Sequence, residues 1–212
     1  MALSGIPAYQ LGVRSPLPFV HAIYLASEGY SVFPSDGDRW IAGSKEAATS
    51  DLETLRKWYN GDPNTDWRLR ADCRDGQHDG IHAIKFPARR HWEWCVRDMG
   101  PLPHTLVIEK DSGHCYHLFA RGIADPDFAF GKEIHGSQAK IVRDVPLPGS
   151  RDKRSGEVWR WRYGCGIGEV SSLAYLPRSW QLALPKNGNR ITAIVTPTHE
   201  YRPPTSPLWS KQ

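Results

Sequence analysis

Thr105-Leu-Val-Ile-Glu-Lys-Asp-Ser-Gly-His-Cys-Tyr-His-Leu-Phe119 is the stretch on which the reading of this chain turns. Two β-rich runs flank Lys110-Asp-Ser-Gly113, a cluster of the polar and small residues that tight turns require. The segment predicts an antiparallel hairpin with His117 on its second strand. His114 and His117 are separated by Cys115 and Tyr116, so on an extended strand they face opposite sides. That spacing excludes a nuclease site built from two histidines flanking one apolar residue.

Upstream, Val20, Ile23, Tyr24 and Ser27 recur at helical spacing, which predicts a helix from about Pro18 to Ser27 ended by Gly29. A short buried strand, Tyr30 to Phe33, follows, and Asp36-Gly-Asp-Arg39 reads as a turn. Ser50 or Asp51 caps a second helix with an apolar stripe of Leu52, Leu55, Trp58 and Tyr59, stopped by Asn60-Gly-Asp-Pro63. Trp67 to Ala71 and Ile81 to Phe86 read as strands around a loop from Asp72 to Gly80, and a third helix runs from about Arg89 to Asp98. Beyond the hairpin, Ala139–Val142 and Val158–Tyr163 extend the antiparallel series, with Pro146 to Gly156 as a mobile basic loop between them. The expected fold class is α+β, a mostly antiparallel sheet flanked by helices.

At 212 residues, with 40% hydrophobic and 24% charged residues, the chain has the composition of one folded domain with a tail rather than a disordered polymer. A net charge of +4 is compatible with an anionic partner without requiring one. Cys73, Cys95, Cys115 and Cys165 are far apart and form no Cys-x-x-Cys pair, so they read as reduced, mostly buried thiols. Cys73, His78 and His82 are irregularly spaced and lack a fourth ligand for zinc. Gly164-Cys-Gly-Ile-Gly168 follows an antiparallel strand rather than opening a helix, so it reads as a turn and not as a phosphate-binding loop. The beginning of the chain lacks a basic and apolar secretory leader, and no window approaches a membrane span, so a cytoplasmic location and no membrane partner are expected.

Several segments, in order, resemble the bifunctional DNA primase/polymerase domain of the archaeo-eukaryotic primase superfamily. Ala22 to Pro34 is similar to that family's opening helix and first strand. Ala48-Thr-Ser-Asp51 and Leu55-Arg-Lys-Trp58 match its Ala-Thr-x-Asp cap and the helix after it. His117-Leu-Phe-Ala120 resembles its histidine strand, Glu133-Ile-His-Gly136 its third acidic segment, and Gly156-Glu-Val-Trp-Arg-Trp161 its Gly-x-x-Tyr-x-Trp strand. The resemblance implies an N-terminal extension over residues 1–17, a primase/polymerase-like domain over 18–185 and a Pro-rich tail over 186–212.

One departure decides what the resemblance implies for activity. In the aligned reading, Lys85 and Pro87 fall where the family carries the Asp-x-Asp pair that binds two divalent ions. Neither side chain supplies an anionic oxygen, and two-metal phosphoryl transfer needs such ligands. A lysine ammonium about 4 Å from a divalent ion would cost roughly 8 kcal/mol at an effective dielectric near 20. No resident cofactor is therefore expected; magnesium or manganese would enter only if Glu109 or Asp111 with Glu133 rebuilt a metal site. The resemblance assigns His117 to contact with a triphosphate and Glu133 to the third carboxylate, which leaves these two as the catalytic candidates. Lys85, the backbone donors of Ser112 and Gly113, and His117 are the candidates for binding DNA or a nucleoside triphosphate. The expected activity is binding in a replication or mobile-element context, beside a replication helicase or another replication protein. Trp159-Arg-Trp-Arg162 alternates, with both tryptophans on one face and both arginines on the other; it reads as core packing first and a base-stacking platform second.

Overall fold

The computed structural model describes residues 18–187, apart from 37–38, 42–46, 72–79, 123–124, 126 and 135. The expected tail beyond 187, the thiol of Cys73 and the imidazole of His78 lie outside the described residues.

The first helix, α1 (Pro18–Ser27), stops where the sequence places its stop. Gly29 takes φ +86°, and the Tyr30 N–H reaches back to the Leu25 carbonyl at 3.0 Å. This left-handed turn suits glycine and satisfies a carbonyl the helix end would otherwise strand. Strands β1 (Val32–Asp36) and β2 (Arg39–Trp40) follow. Helix α2 (Leu52–Gly61) is capped by Asp51, whose carboxylate accepts from the Thr54 N–H at 2.9 Å. Next come β3 (Asp66–Arg70), β4 (Ile81–Phe86), α3 (Arg89–Met99), β5 (Val107–Glu109) and β6 (Cys115–Ala120). The chain continues through β7 (Lys140–Val142), β8 (Asp144–Pro146), β9 (Arg160–Trp161) and α4 (Arg178–Ala183).

These strands form two sheets, ordered β2-β1-β3-β8 and β7-β4-β6-β5-β9, and every pairing between named strands is antiparallel. The fold is thus α+β, with helices flanking the sheets. The chain crosses from the second sheet to the first within one residue, Arg143, which joins edge strand β7 to edge strand β8.

Side-chain alternation gives the five-stranded sheet two buried faces. Ile81, Ala83, Leu118, Ile108 and Trp161 on one face pack with α1, α2 and the first sheet in a core that includes Leu25, Leu55 and Trp67. Ile84, Phe86, Cys115, Phe119 and Ile141 on the other face pack against Cys95 and Met99 of α3 and Trp180 of α4. Each large side chain so buried contributes about 1.5–3 kcal/mol before conformational entropy is deducted. Trp159 and Trp161 are both buried while Arg160 is exposed, so this alternation serves the core and not a stacking platform.

The segment after Pro146 departs from the expectation of a mobile basic loop. The Leu147 N–H donates to the Trp67 carbonyl at 2.8 Å, and the Trp67 N–H donates to Ser150 Oγ at 3.1 Å. Asp152 turns inward onto the Lys110 ammonium. Backbone pairing to β3 and one inward carboxylate pin a segment whose composition alone suggests mobility. The six-residue α4 and strand β8 are further elements that the sequence reading omits. Lys186 and Asn187 also belong to the packed domain, since Lys186 bridges to Phe128 and the Asn187 N–H donates to the Asp127 carbonyl at 3.0 Å.

Candidate functional site

Strand register decides which candidates can meet. On β4, Lys85 stands opposite Tyr116 of β6 and Lys140 of β7, so these three side chains leave the sheet on one face. There Lys85 and Tyr116 line a cleft of about 480 Å³ together with Arg68 of β3, Phe130, the crossover residue Arg143 and Asp144 of β8. Arg68 is held by Asp144, its Nε and Nη2 donating to the same carboxylate oxygen at 3.0 and 2.6 Å. The Arg143 guanidinium lies over the Phe130 ring, 4.8 Å from its centroid. Among the described residues that line the cleft, three cations face one carboxylate, a formal excess of two positive charges. At an effective dielectric near 20, one cation about 4 Å from an anionic oxygen supplies about 4 kcal/mol of gross attraction.

His117 is not part of this cleft. It stands opposite Ile84 and Val107 and therefore leaves the sheet on the other face. It is buried against Phe86, edge to face at 5.3 Å between centroids, and against Trp92 and Phe119 at 6.3 and 6.5 Å. Burial first, and the nearby Arg162 guanidinium second, push its pKa down to about 3. At neutral pH it is an uncharged ring in an aromatic packing shell, with no hydrogen-bond partner for Nε2 among the described residues. This corrects the expectation of a phosphate contact shared with Lys85: one step of register along β4 sends the two side chains to opposite faces.

The hairpin turn is also otherwise engaged. The Ser112 N–H donates to Glu157 Oε1 at 2.7 Å, and the Gly113 N–H donates to the Lys110 carbonyl at 2.9 Å. Gly113 sits at φ +81°, which the tight turn requires. Beneath the turn, the Lys110 ammonium contacts Asp152, Glu157 Oε2 at 3.2 Å and Ser155 Oγ at 3.3 Å. Burial alone would lower the Lys110 pKa, but hydrogen bonds to Asp152 and Glu157 outweigh it and raise the value. Of the two backbone donors expected to cradle a phosphate, Ser112 instead ties the hairpin to the 152–157 loop and Gly113 closes the turn itself.

The carboxylate candidates are dispersed. Glu133 is exposed and pairs with Lys140 at 3.5 Å, Glu109 accepts from Arg162 Nε at 2.7 Å, and Asp111 pairs with Arg160. Glu133 bridges to Lys140 of edge strand β7, and β7 and β5 stand three places apart in the sheet, so Glu133 lies more than about 14 Å from Glu109 at the usual strand spacing. The rebuilt metal site imagined from these acids is not assembled. Among the described residues, no group of three or more histidines, cysteines or acids could hold a metal ion. The β4 side chains that share the His117 face are His82, Ile84 and Phe86, the last two apolar. His82 is likewise committed, with Nε2 3.0 Å from Asp125 Oδ2.

Sequence reasoning found Lys85 and missed its companions Arg68, Arg143 and Asp144. Two patterns carried a faint signal: Arg68 is the central polar position of the alternating Asp66-Trp-Arg-Leu-Arg70, and Arg143-Asp144 interrupts the largely apolar run from Ala139 to Val145. Nothing local shows that these segments, 76 residues apart, meet on one cleft. No protein-family model matches the chain, and no curated protein matches it either. Among the described residues, no helix is long and apolar enough to cross a membrane.

Proposed function

We propose that this domain binds the phosphate groups of a nucleotide or of single-stranded DNA in the Lys85 cleft, as a primase/polymerase-like protein that no longer transfers nucleotides. The observation that carries the reading is the convergence of Lys85, Arg68 and Arg143 with the aromatic rings of Tyr116 and Phe130 on one cavity. At about 480 Å³ the cleft falls within the range of small-molecule sites, so it suits one nucleotide unit rather than a duplex. Cationic side chains hold phosphate, and aromatic faces accept a base without regard to its identity. The element order supports the same family reading: a helix and strand, a capped second helix, a strand carrying Lys85, and a hairpin carrying His117. Such a domain would act beside a replication helicase or another replication protein, in the cytoplasm or on a mobile element. No resident metal enters the binding step; magnesium or manganese belongs only to the alternative of an active enzyme.

Fluorescence anisotropy of a labelled oligothymidylate, with a nucleoside triphosphate as competitor, tests the reading. Saturable binding at low salt should weaken as salt rises, by a slope of about 0.7 per neutralised phosphate for a single strand. No saturable binding to either ligand at low salt would leave the fold as a scaffold.

A further inference from the structure

We infer that Asn187 is a specificity-determining residue of this cleft, its side-chain oxygen fixed as a neutral hydrogen-bond acceptor. The site then selects a phosphate-bearing ligand that also carries a neutral donor, either a base amino group or a sugar hydroxyl. The inference rests on the anion-binding reading above and adds selection to it. Asn187 lines the same cavity as Lys85 and Phe130. A short antiparallel pairing places it there: the Ala129 N–H donates to the Pro185 carbonyl at 2.8 Å, Lys186 bridges to Phe128, and the Asn187 N–H donates to the Asp127 carbonyl at 3.0 Å. The side chain is anchored to the same segment. Nδ2 donates to Asp127 Oδ2 at 3.3 Å and to the Phe128 carbonyl at 3.2 Å, which gives an acceptor to each of the two hydrogens an amide nitrogen carries.

A flipped amide would set Oδ1 against a carboxylate and a carbonyl, acceptor against acceptor, so the network holds one orientation. The amide atom offered to a ligand is therefore Oδ1. Lysine and arginine side chains only donate, so the cationic part of the cleft recognises ligand oxygens whatever else the ligand carries. Asn187 asks for the opposite chemistry. Unlike Asp144, which lines the same cavity, it does so without a negative charge that would repel a phosphate. Asn187 is exposed, so water competes for the bond and the selection is several-fold rather than absolute.

Calorimetric titration at low salt tests this with adenosine diphosphate and two analogues. Purine riboside diphosphate lacks only the 6-amino group, and 2′,3′-dideoxyadenosine diphosphate lacks both sugar hydroxyls. The wild type should bind at least one analogue about five- to tenfold more weakly than adenosine diphosphate, and the analogue that loses affinity identifies the donor. In Asn187→Ala, or in Asn187→Val should the first variant lose the native circular dichroism spectrum, the difference should fall below about twofold. In the ¹⁵N-labelled wild type, a readout that needs no variant, adenosine diphosphate should shift the Asn187 side-chain amide resonances and the weaker analogue should not. Equal wild-type affinity for all three nucleotides, or selectivity that persists in a folded variant, overturns the role of Asn187 and leaves the anion site standing. No saturable binding of the three nucleotides or of inorganic pyrophosphate refutes the anion site and this inference together.

Discussion

Lys85 and His117 sit on adjacent strands yet face opposite sides of the five-stranded sheet, because the register sets Lys85 against Tyr116 and Ile84 against His117. The basic side chain opens on a charged cleft, and the imidazole is packed among Phe86, Trp92 and Phe119. The proposed anion site and the histidine are thereby on opposite faces of the sheet.

Replacing His117 with phenylalanine should leave the fold intact. The imidazole is neutral and buried, and its Nε2 has no partner among the described residues, so the variant removes an unsatisfied polar atom without opening a cavity. Urea denaturation should give a stability equal to the wild type or higher by about 1 kcal/mol. A loss above about 2 kcal/mol would show that the ring makes a polar contact essential to the core.

Acid should destabilise the domain before its carboxylates titrate. Burial lowers the pKa of His21 to about 4 and, with nearby cations, that of His114 and His117 to about 3, from an ordinary value of 6.5. In that window the unfolded chain binds protons that the folded chain refuses, so stability is full above pH 6.5 and falls as pH drops toward 3. Each histidine contributes a slope of up to about 1.4 kcal/mol per pH unit. Denaturation midpoints measured from pH 7 to pH 4 should fall steadily, and His117→Phe should flatten the slope. A flat profile to pH 4.5 would contradict the buried neutral state of these rings.

The Lys110 clamp should matter for stability and not for binding. Hydrogen bonds from Lys110 and the 154–155 backbone outweigh burial and hold the Asp152 pKa down near 2. Lys110→Met leaves Asp152 facing inward without its cation and should cost roughly 2 to 4 kcal/mol, somewhat below the figure for a deeply buried pair. Lys110→Met combined with Asp152→Leu should recover most of that loss. Thermal melts of the three proteins check the stability claim, and unchanged affinity for single-stranded DNA checks that the hairpin turn is not the site.

No primer extension is expected from nucleoside triphosphates with magnesium or manganese. Glu133 is tied to Lys140 and stands apart from Glu109, so among the described residues no carboxylate set is assembled to align two ions. The melting temperature should be nearly insensitive to either ion, since a ligand that binds the native state raises stability by mass action. Extension that vanishes in Glu133→Ala, or a large manganese-dependent rise in melting temperature, would reverse this conclusion.

Local signals made most of the fold legible. The Asp51 cap, the Gly29 stop and the Lys110–Gly113 turn are short-range chemistry, and the structure places helices α1 and α2 and the hairpin where those signals put them. The site was less legible because it depends on long-range register. Whether Lys85 faces the same way as His117 is decided by a pairing between β4 and β6 that a one-residue slip would invert. Arg68 and Asp144 meet only because the chain leaves the second sheet after β7, at Arg143, and β8 pairs with β3. Gly113 looked like a phosphate cradle in sequence because a turn glycine is required for either purpose, and only the bonds made by Ser112 and Gly113 reveal which one holds.

The central claim is that anion binding belongs to the Lys85 face and not to the histidine face, and side-by-side titration of labelled oligothymidylate at low salt tests it most directly. Lys85→Ala should weaken binding by the equivalent of about 1 to 3 kcal/mol, as for the loss of one charge-assisted contact, while His117→Phe binds as the wild type does. Unchanged affinity in Lys85→Ala, or a comparable loss in His117→Phe, would contradict the account.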